Sequence, residues 1–280
     1  MTADPVDAAD PSIGRRSLLG LAAATAVPAP AARAAPAAAT PAAAGGIRAM
    51  TFDIQGTVFD YYQPFLATRT ALDARKGRPL DWSGFLADWN AGAASAIQAI
   101  IAGTRPWIPP GRIYREALDT PLAARGLAGQ MDETDRLELM SVWGRMLPWP
   151  DSAEGIGRLR RKVTVAALSN AGMAAVIALA RRGGLAFDAV LSGELVRSYK
   201  PAPEVYRAAA TYLGFAPGEI MMVAAHKFDL RAAKEAGFAT AYIPRPRELG
   251  PETHPDRAPE SFIDIVADDL LDLAARLGAG

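Results

Sequence analysis

The sequence predicts an α/β protein: a parallel β-sheet covered by helices on both faces and interrupted after its first strand by an all-helical insert. Three observations carry this. Short β-rich runs alternate with helical ones along most of the chain, one long stretch contains no period-2 run at all, and half of the 280 residues are hydrophobic against 21% charged, ample for a buried core. That length suits one core with an inserted subdomain better than a string of domains.

The strand runs are 47–52, 163–168, 189–191, 220–224 and 240–243, with 262–266 weaker; helices are expected over 173–181, 204–213 and 230–236. Alternation of this kind implies parallel strands joined by helical crossovers. From Tyr61 to about Pro150 helical spacing takes over, as in Phe85, Trp89, Ala93 and Ile97 at steps of four. This stretch holds every tryptophan of the chain: Trp82, Trp89, Trp107, Trp143 and Trp149. Aromatics concentrated in an insert read as its own core before they read as a ligand box. Pro109-Pro110-Gly111 marks a turn within it, and Pro148-Trp149-Pro150 marks the return to the sheet.

The first 46 residues differ in kind. Arg15-Arg16-Ser17-Leu18-Leu19-Gly20 followed by an apolar run to Val27 has the order of a twin-arginine export signal, and Ala32 and Ala34 around Arg33 offer a cleavage site. The apolar run would reach roughly 15 Å as a helix against a hydrocarbon core of roughly 30 Å, so it is not a membrane span. The Ala/Pro-rich tract after it cannot build a core and reads as a linker. A start at Met50 instead would cut into the first strand. The expected organisation is 1–46 as signal peptide and linker, 47–60 with 150–280 as the sheet core, and 61–149 as the helical insert. Delivery to the periplasm or cell exterior is expected, with cytoplasmic residence if the signal does not function.

Composition excludes several classes. Thirty basic and thirty acidic residues cancel, so no broad field favours nucleic acid. Without cysteine there is no disulfide, thiolate nucleophile or iron–sulfur cluster, and two histidines, His226 and His254, cannot build a His-rich metal site.

In an open parallel sheet chemistry collects at the carboxyl ends of the strands. The first strand delivers Asp53-Ile54-Gln55-Gly56-Thr57, the second Ser169-Asn170, the fourth His226-Lys227-Phe228-Asp229, and Lys200 follows the third. Singly each has a bland explanation: an Asx turn at Asp53, a helix cap at Ser169-Asn170, a solvated loop lysine, an N-cap at Asp229. Together, in this order, Asp53, Ser169, Lys200 and Asp229 converge on one crevice and read as an active site.

This order, Asp53-x-x-Gly56-Thr57, Ser169-Asn170, Lys200-Pro201, then Asp229, resembles the haloacid dehalogenase superfamily. More narrowly, over roughly 47–277 the chain resembles the type II L-2-haloacid dehalogenases, through Leu147-Pro148-Trp149-Pro150-Asp151-Ser152, Tyr199-Lys200-Pro201 with Tyr206, and Met222-Val223-Ala224-Ala225-His226 with Asp229-Leu230. The resemblance implies a Rossmann-like core with a helical cap. It further implies Asp53 as nucleophile, Thr57, Ser169 and Asn170 holding nucleophile and substrate carboxylate, Lys200 paired with Asp53, and Asp229 positioning the hydrolytic water. Gln55, Trp89, Asn90, Tyr206, His226 and Phe228 join Asn170 as expected substrate contacts. The substrate class so implied is a small 2-halo acid, with no cofactor and no metal expected; a homodimer is left open.

The chemistry is coherent. In a dry site a carboxylate can displace halide from a 2-halo acid and form an ester that water cleaves, and a lysine offsets repulsion between the two anions. Magnesium phosphatases of the superfamily carry acids where this chain has Gln55 and Ala225, which leaves too few hard ligands for the ion. The chain departs from the dehalogenase pattern at Asn90, in place of a halide-receiving arginine, at Lys227 and at Ala171. A binding protein that keeps the fold without turnover is the alternative those departures favour. His226 could orient water or bond the loop backbone.

Overall fold

The computed structural model describes residues 46–251 and 253–280; the export signal and linker expected before residue 46 lie outside the described residues. Its central sheet has six strands in the order β5-β4-β1-β6-β7-β8, all parallel. They are β1 (Ala49–Phe52), β4 (Thr164–Ser169), β5 (Ala189–Ser192), β6 (Ile220–Ala224), β7 (Ala239–Tyr242) and β8 (Ile265–Val266). β1 sits between β4 and β6, with Met50 beside Val165 on one side and Met221 on the other. From β1 the chain builds outward to β4 and β5, then crosses back to continue through β6 on the other flank. That reversal opens a crevice at the carboxyl end of β1, where Asp53 emerges.

Period-2 alternation divides the buried strand residues between two cores. Met50, Phe52, Val165, Ala167, Met221 and Val223 face one side, and Ala49, Leu168, Ile220, Met222 and Ala224 face the other. Helices α6 (Ser152–Arg160), α7 (Met173–Arg182) and α10 (Leu270–Arg276) cover the first face with Ile156, Leu159, Val176, Leu179, Leu270 and Leu273. Helices α8 (Pro203–Leu213) and α9 (Lys227–Glu235) cover the second with Val205, Tyr206, Leu230 and Ala233. Because both faces are covered, the strands are apolar nearly throughout, as parallel sheets require. Among the described residues no helix is long and apolar enough to cross a membrane.

Two short strands, β2 (Phe59–Asp60) and β3 (Leu147–Pro148), pair antiparallel and form the two legs of the insert. Between them run α1 (Tyr62–Lys76), α2 (Phe85–Ile101), α3 (Pro110–Ala117), α4 (Asp119–Ala124) and α5 (Glu133–Met140), with no strand among these residues. Phe65, Trp82, Phe85, Trp89 and Trp143 form a chain of ring contacts with centroids 5.1–6.2 Å apart. This cluster is continuous with the first sheet core.

Two local expectations are revised. Pro109-Pro110-Gly111 begins α3 rather than forming a turn, because Pro110 occupies the first helical position, where its missing N–H would be unpaired in any case. Helix α9 begins at Lys227, not Leu230, so Asp229 lies inside the first turn and does not cap it. Trp149 lies on the return to the sheet, as expected, and its indole N–H donates to the Gly56 carbonyl at 2.9 Å.

The loop after β7 is fastened to both legs by one buried ion pair. Arg245 donates to both carboxylate oxygens of Asp151 at 2.8 and 2.9 Å, and its Nε donates to the Thr57 carbonyl at 2.9 Å. Asp151 also accepts from the Leu270 N–H. Replacing only Arg245 by Met would strand a buried carboxylate and should cost about 3–5 kcal/mol in urea unfolding. The double variant Arg245→Met, Asp151→Asn should recover much of that loss.

Candidate active site

Asp53 follows the last residue of the central strand and is 6% exposed. Its Oδ1 accepts from Lys200 Nζ at 2.9 Å, and its Oδ2 lies 2.7 Å from Thr57 Oγ1 and 3.0 Å from His226 Nδ1. Thr57 in turn accepts from the Ala225 N–H at 2.8 Å, which leaves its single hydroxyl proton for Asp53. Gly56 adopts φ +82, a left-handed turn that returns the chain toward Thr57.

Lys200 is buried between two carboxylates. Its Nζ donates to Asp53 and, at 2.5 Å, to Asp229 Oδ2, while Asp229 Oδ1 accepts from the Tyr206 hydroxyl at 2.5 Å. Asn170, just past β4, clamps the lysine's backbone from both sides: its Oδ1 accepts the Lys200 N–H at 2.7 Å and its Nδ2 donates to the Lys200 carbonyl at 3.0 Å. Burial alone would raise the Asp53 pKa, but the Lys200 charge and the bonds from His226 and Thr57 hold it well below the usual carboxylate range. For Asp229 burial wins, reinforced by the facing Asp53, and its pKa is raised despite Lys200. Burial would lower the Lys200 pKa, but the two carboxylates keep it raised.

His226 bridges two acids. Its Nε2 lies 2.8 Å from Glu248 Oε1, which also accepts from the Tyr61 hydroxyl at 2.5 Å. Burial favours the neutral ring, yet Glu248 and Asp53 hold the pKa well above the usual histidine value.

Above these groups lies a cavity of about 340 Å³. Asp53, Lys200, Asp229, His226, Gln55 and Asn170 form its polar floor; Asn90, Ala91, Ala93, Ala94 and Ile97 of α2, with Tyr61, Tyr114, Trp143, Phe228 and Leu249, form the rest. Burial pushes the Tyr114 phenol up to about 12, so it stays a donor. The buried Asn90 Nδ2 has no partner among the described residues. No arginine among the described residues lines the cavity, and Arg112 is exposed with its guanidinium toward Glu116. Among the described residues no group of three acids or histidines is placed to hold a metal ion.

Of the residues expected from sequence, Asp53, Gln55, Asn90, Asn170, Lys200, His226, Phe228 and Asp229 reach the cavity wall. Four lie behind it. Trp89 is fully buried in the aromatic core, with its indole N–H on the Tyr114 carbonyl, because adjacent helix positions diverge by about 100° and Asn90 takes the cavity side. Tyr206 is buried under α9 and holds Asp229. Ser169 is buried and accepts from the Ala171 N–H, and Thr57 serves Asp53 alone. Glu248 carries no sequence signal, since it lies in a Pro/Arg-rich loop without a motif.

Comparison with known proteins adds independent information. Residues 47–237 match the family model of haloacid dehalogenase-like hydrolases. The chain is 30% identical over 209 residues to an (S)-2-haloacid dehalogenase of Xanthobacter autotrophicus, covering 71% of this chain and 76% of that protein. The crystal structure of a defluorinating L-2-haloacid dehalogenase superposes with a TM-score of 0.77 at 35% identity, covering 83% of this chain and 95% of the other. The Xanthobacter autotrophicus L-2-haloacid dehalogenase with chloropropionic acid covalently bound superposes with a TM-score of 0.67 at 28% identity, covering 84% and 99%.

The carboxylates leave a pH signature. Asp53, with its pKa depressed, contributes stability that is present above about pH 4, near the unfolded aspartate value, and lost as pH falls through the folded value. Asp229, with its pKa raised, contributes in the opposite sense, present below about pH 4 and lost as pH rises through its folded value. Lys200→Met removes the charge that counters burial at both acids. It should lower stability at neutral pH by about 3–5 kcal/mol, and denaturant midpoints should show the deficit shrinking on acidification, as one of the two carboxyls takes up a proton.

Proposed function

Because the chain belongs to the haloacid dehalogenase-like hydrolases, we propose that it hydrolyses the carbon–halogen bond of small 2-halo acids through an ester formed at Asp53, without a metal. One observation carries the reading: an ionised, buried carboxylate on the floor of a cavity, held from three sides by Lys200, Thr57 and His226. Asp53 Oδ1 attacks C2 of the substrate, the halide leaves with the bonding pair, and water then cleaves the ester to a 2-hydroxy acid. Holding the carboxylate in line with the departing halide contributes several kcal/mol through orientation alone. Lys200 balances charge as the substrate's own carboxylate enters beside Asp53. Asp229, pinned by Lys200 and Tyr206, stands where it can orient the water. The covalent chloropropionic acid in the Xanthobacter relative supports an ester intermediate.

The leaving group meets an unusual wall. Asn90 lines the cavity and its buried Nδ2 has no partner among the described residues, so on turning toward the cavity it would bond a departing halide. A neutral amide is roughly half as strong a donor as a guanidinium, so halide departure is expected to be slower than with arginine. The phosphatase reading has no support at Gln55, which cannot serve as the proton-donating acid, or at Ala225, which offers no carboxylate for magnesium. The Arg15-Arg16 segment supports export in the folded state; retention of the chain in the cytoplasm irrespective of Arg15→Lys, Arg16→Lys would overturn it.

Three measurements test the catalytic proposal. Single turnover of 2-chloropropanoate in heavy-oxygen water should place the label in Asp53, and Asp53→Asn should release no halide; label confined to the product would reject the ester. Halide release should survive chelators, whereas loss with EDTA and recovery with magnesium would point to metal-dependent chemistry. Asn90→Ala should slow chloride release about tenfold to a hundredfold, or 1.4–3 kcal/mol, while Asn90→Arg should maintain or raise it.

A further inference from the structure

We propose that His226 and Thr57 are the two donors that stabilise the oxyanion when the Asp53 ester is hydrolysed, and that Glu248 is the positioning residue that keeps His226 a charged donor. This rests on the aspartyl-ester reading above. The two oxygens of Asp53 are not equivalent. Oδ1 has Lys200 alone, whereas Oδ2 receives two donors, Thr57 Oγ1 at 2.7 Å and His226 Nδ1 at 3.0 Å. A carbonyl oxygen is a better acceptor than an alkylated one, so the doubly held Oδ2 remains the carbonyl and Oδ1 carries the alkyl group. Water then attacks Cγ, and the C=O electron pair moves onto Oδ2. Collapse restores the C=O bond and breaks Cγ–Oδ1. The hydroxy acid leaves with Oδ1 and one water proton, the second proton goes to solvent, and Asp53 is again a carboxylate carrying the water oxygen.

Both donors are aimed before the reaction begins, which is what makes such a pair effective. The Thr57 proton points at Asp53 because its oxygen already accepts from Ala225. Both nitrogens of His226 face carboxylate oxygens, and an ionised carboxylate only accepts, so both nitrogens carry protons and the ring is an imidazolium. His226 is also the N-cap of α9, where the helix field opposes a positive charge. Two anions outweigh that field in the resting protein. Once Asp53 is an ester, one of them is gone. Glu248 then remains as the counter-ion, fixed by the Tyr61 hydroxyl.

The surroundings are built for this contact. A Cβ on Gly56 would lie 2.2 Å from Glu248 Oε1, so the glycine of the first-strand turn leaves the room that the carboxylate occupies. The other charged groups face elsewhere: Lys200 takes the opposite oxygen of Asp53, Asp229 lies beyond Lys200, Lys227 reaches out to Asp256 at 2.7 Å, and Arg245 is committed to Asp151. Phe228 stacks on the imidazole at 5.5 Å.

Rapid-quench kinetics with 2-bromopropanoate, read by halide release and by mass of the covalent ester, separates the two half-reactions. His226→Ala should still release halide in the first turnover and should slow ester hydrolysis about a hundredfold to a thousandfold, more than it slows ester formation, so that the ester accumulates. His226→Asn, a neutral donor, should restore part of that rate. Glu248→Gln keeps an acceptor for Nε2 but removes the charge; the alkaline limit of ester hydrolysis should move to lower pH. Proton NMR, with only two histidines to resolve, should show His226 of the free protein titrating lower in Glu248→Gln than in the wild type. Ester formation in the wild type with hydrolysis and His226 titration unmoved by these substitutions would overturn this inference alone. Absence of any ester in the wild type would overturn the Asp53 reading together with it.

Discussion

An ammonium group between two buried carboxylates organises this protein. Lys200 is 3% exposed and Asp229 1%, and neither could be buried without the other. Asp53 completes the set from the end of β1, Asp229 comes from the first turn of α9, and Asn170 from the end of β4 grips the backbone of the lysine itself. Four segments remote in sequence must therefore arrive together. A buried charge with a missing partner costs several kcal/mol, so any packing that displaces one segment is penalised at all of them.

The same logic extends to the insert. Its legs, β2 and β3, begin and end beside the turn that carries Gly56 and Thr57, and polar contacts from the return leg close on that turn: Trp149 bonds the Gly56 carbonyl, Ser152 bonds the Val58 carbonyl at 2.8 Å, and Arg245 joins Asp151 to the Thr57 carbonyl. Above the legs the aromatic cluster is continuous with the sheet core, so the insert buries apolar area against the domain it interrupts. That contact places α2 over Asp53 and gives the cavity walls of alanine, isoleucine and aromatic side chains, a setting that strengthens each electrostatic contact on the floor.

The strands, crossover helices and helical insert were legible because their signals are local. Runs such as Ile220–Ala224 are β-rich and bounded by turns, and the steps of four from Phe85 to Ile97 show one buried helix face. The acidic, basic and hydroxyl residues after the strands were legible because sheet topology dictates where strand ends meet. Depth was not legible. Trp89 and Tyr206 have the chemistry of ligand contacts, yet both are buried behind the wall, and their polar atoms are used by Tyr114 and Asp229. Glu248 is the opposite case. No spacing marks it, and only the fold of the loop after β7 carries its carboxylate to the far side of His226.

The sequence by itself determined the parallel α/β core, the position of the helical insert and the order of Asp53, Ser169-Asn170, Lys200 and Asp229, because periodicity and strand-end placement are properties of short stretches. Tertiary structure alone decided which of those side chains face the cavity, which oxygen of Asp53 receives two donors, and that His226 lies between two carboxylates. The physical reason is that hydrogen bonds and ionisation depend on distances of about 3 Å between residues as far apart in the chain as Asp53 and His226, and those distances exist only once the whole core has closed.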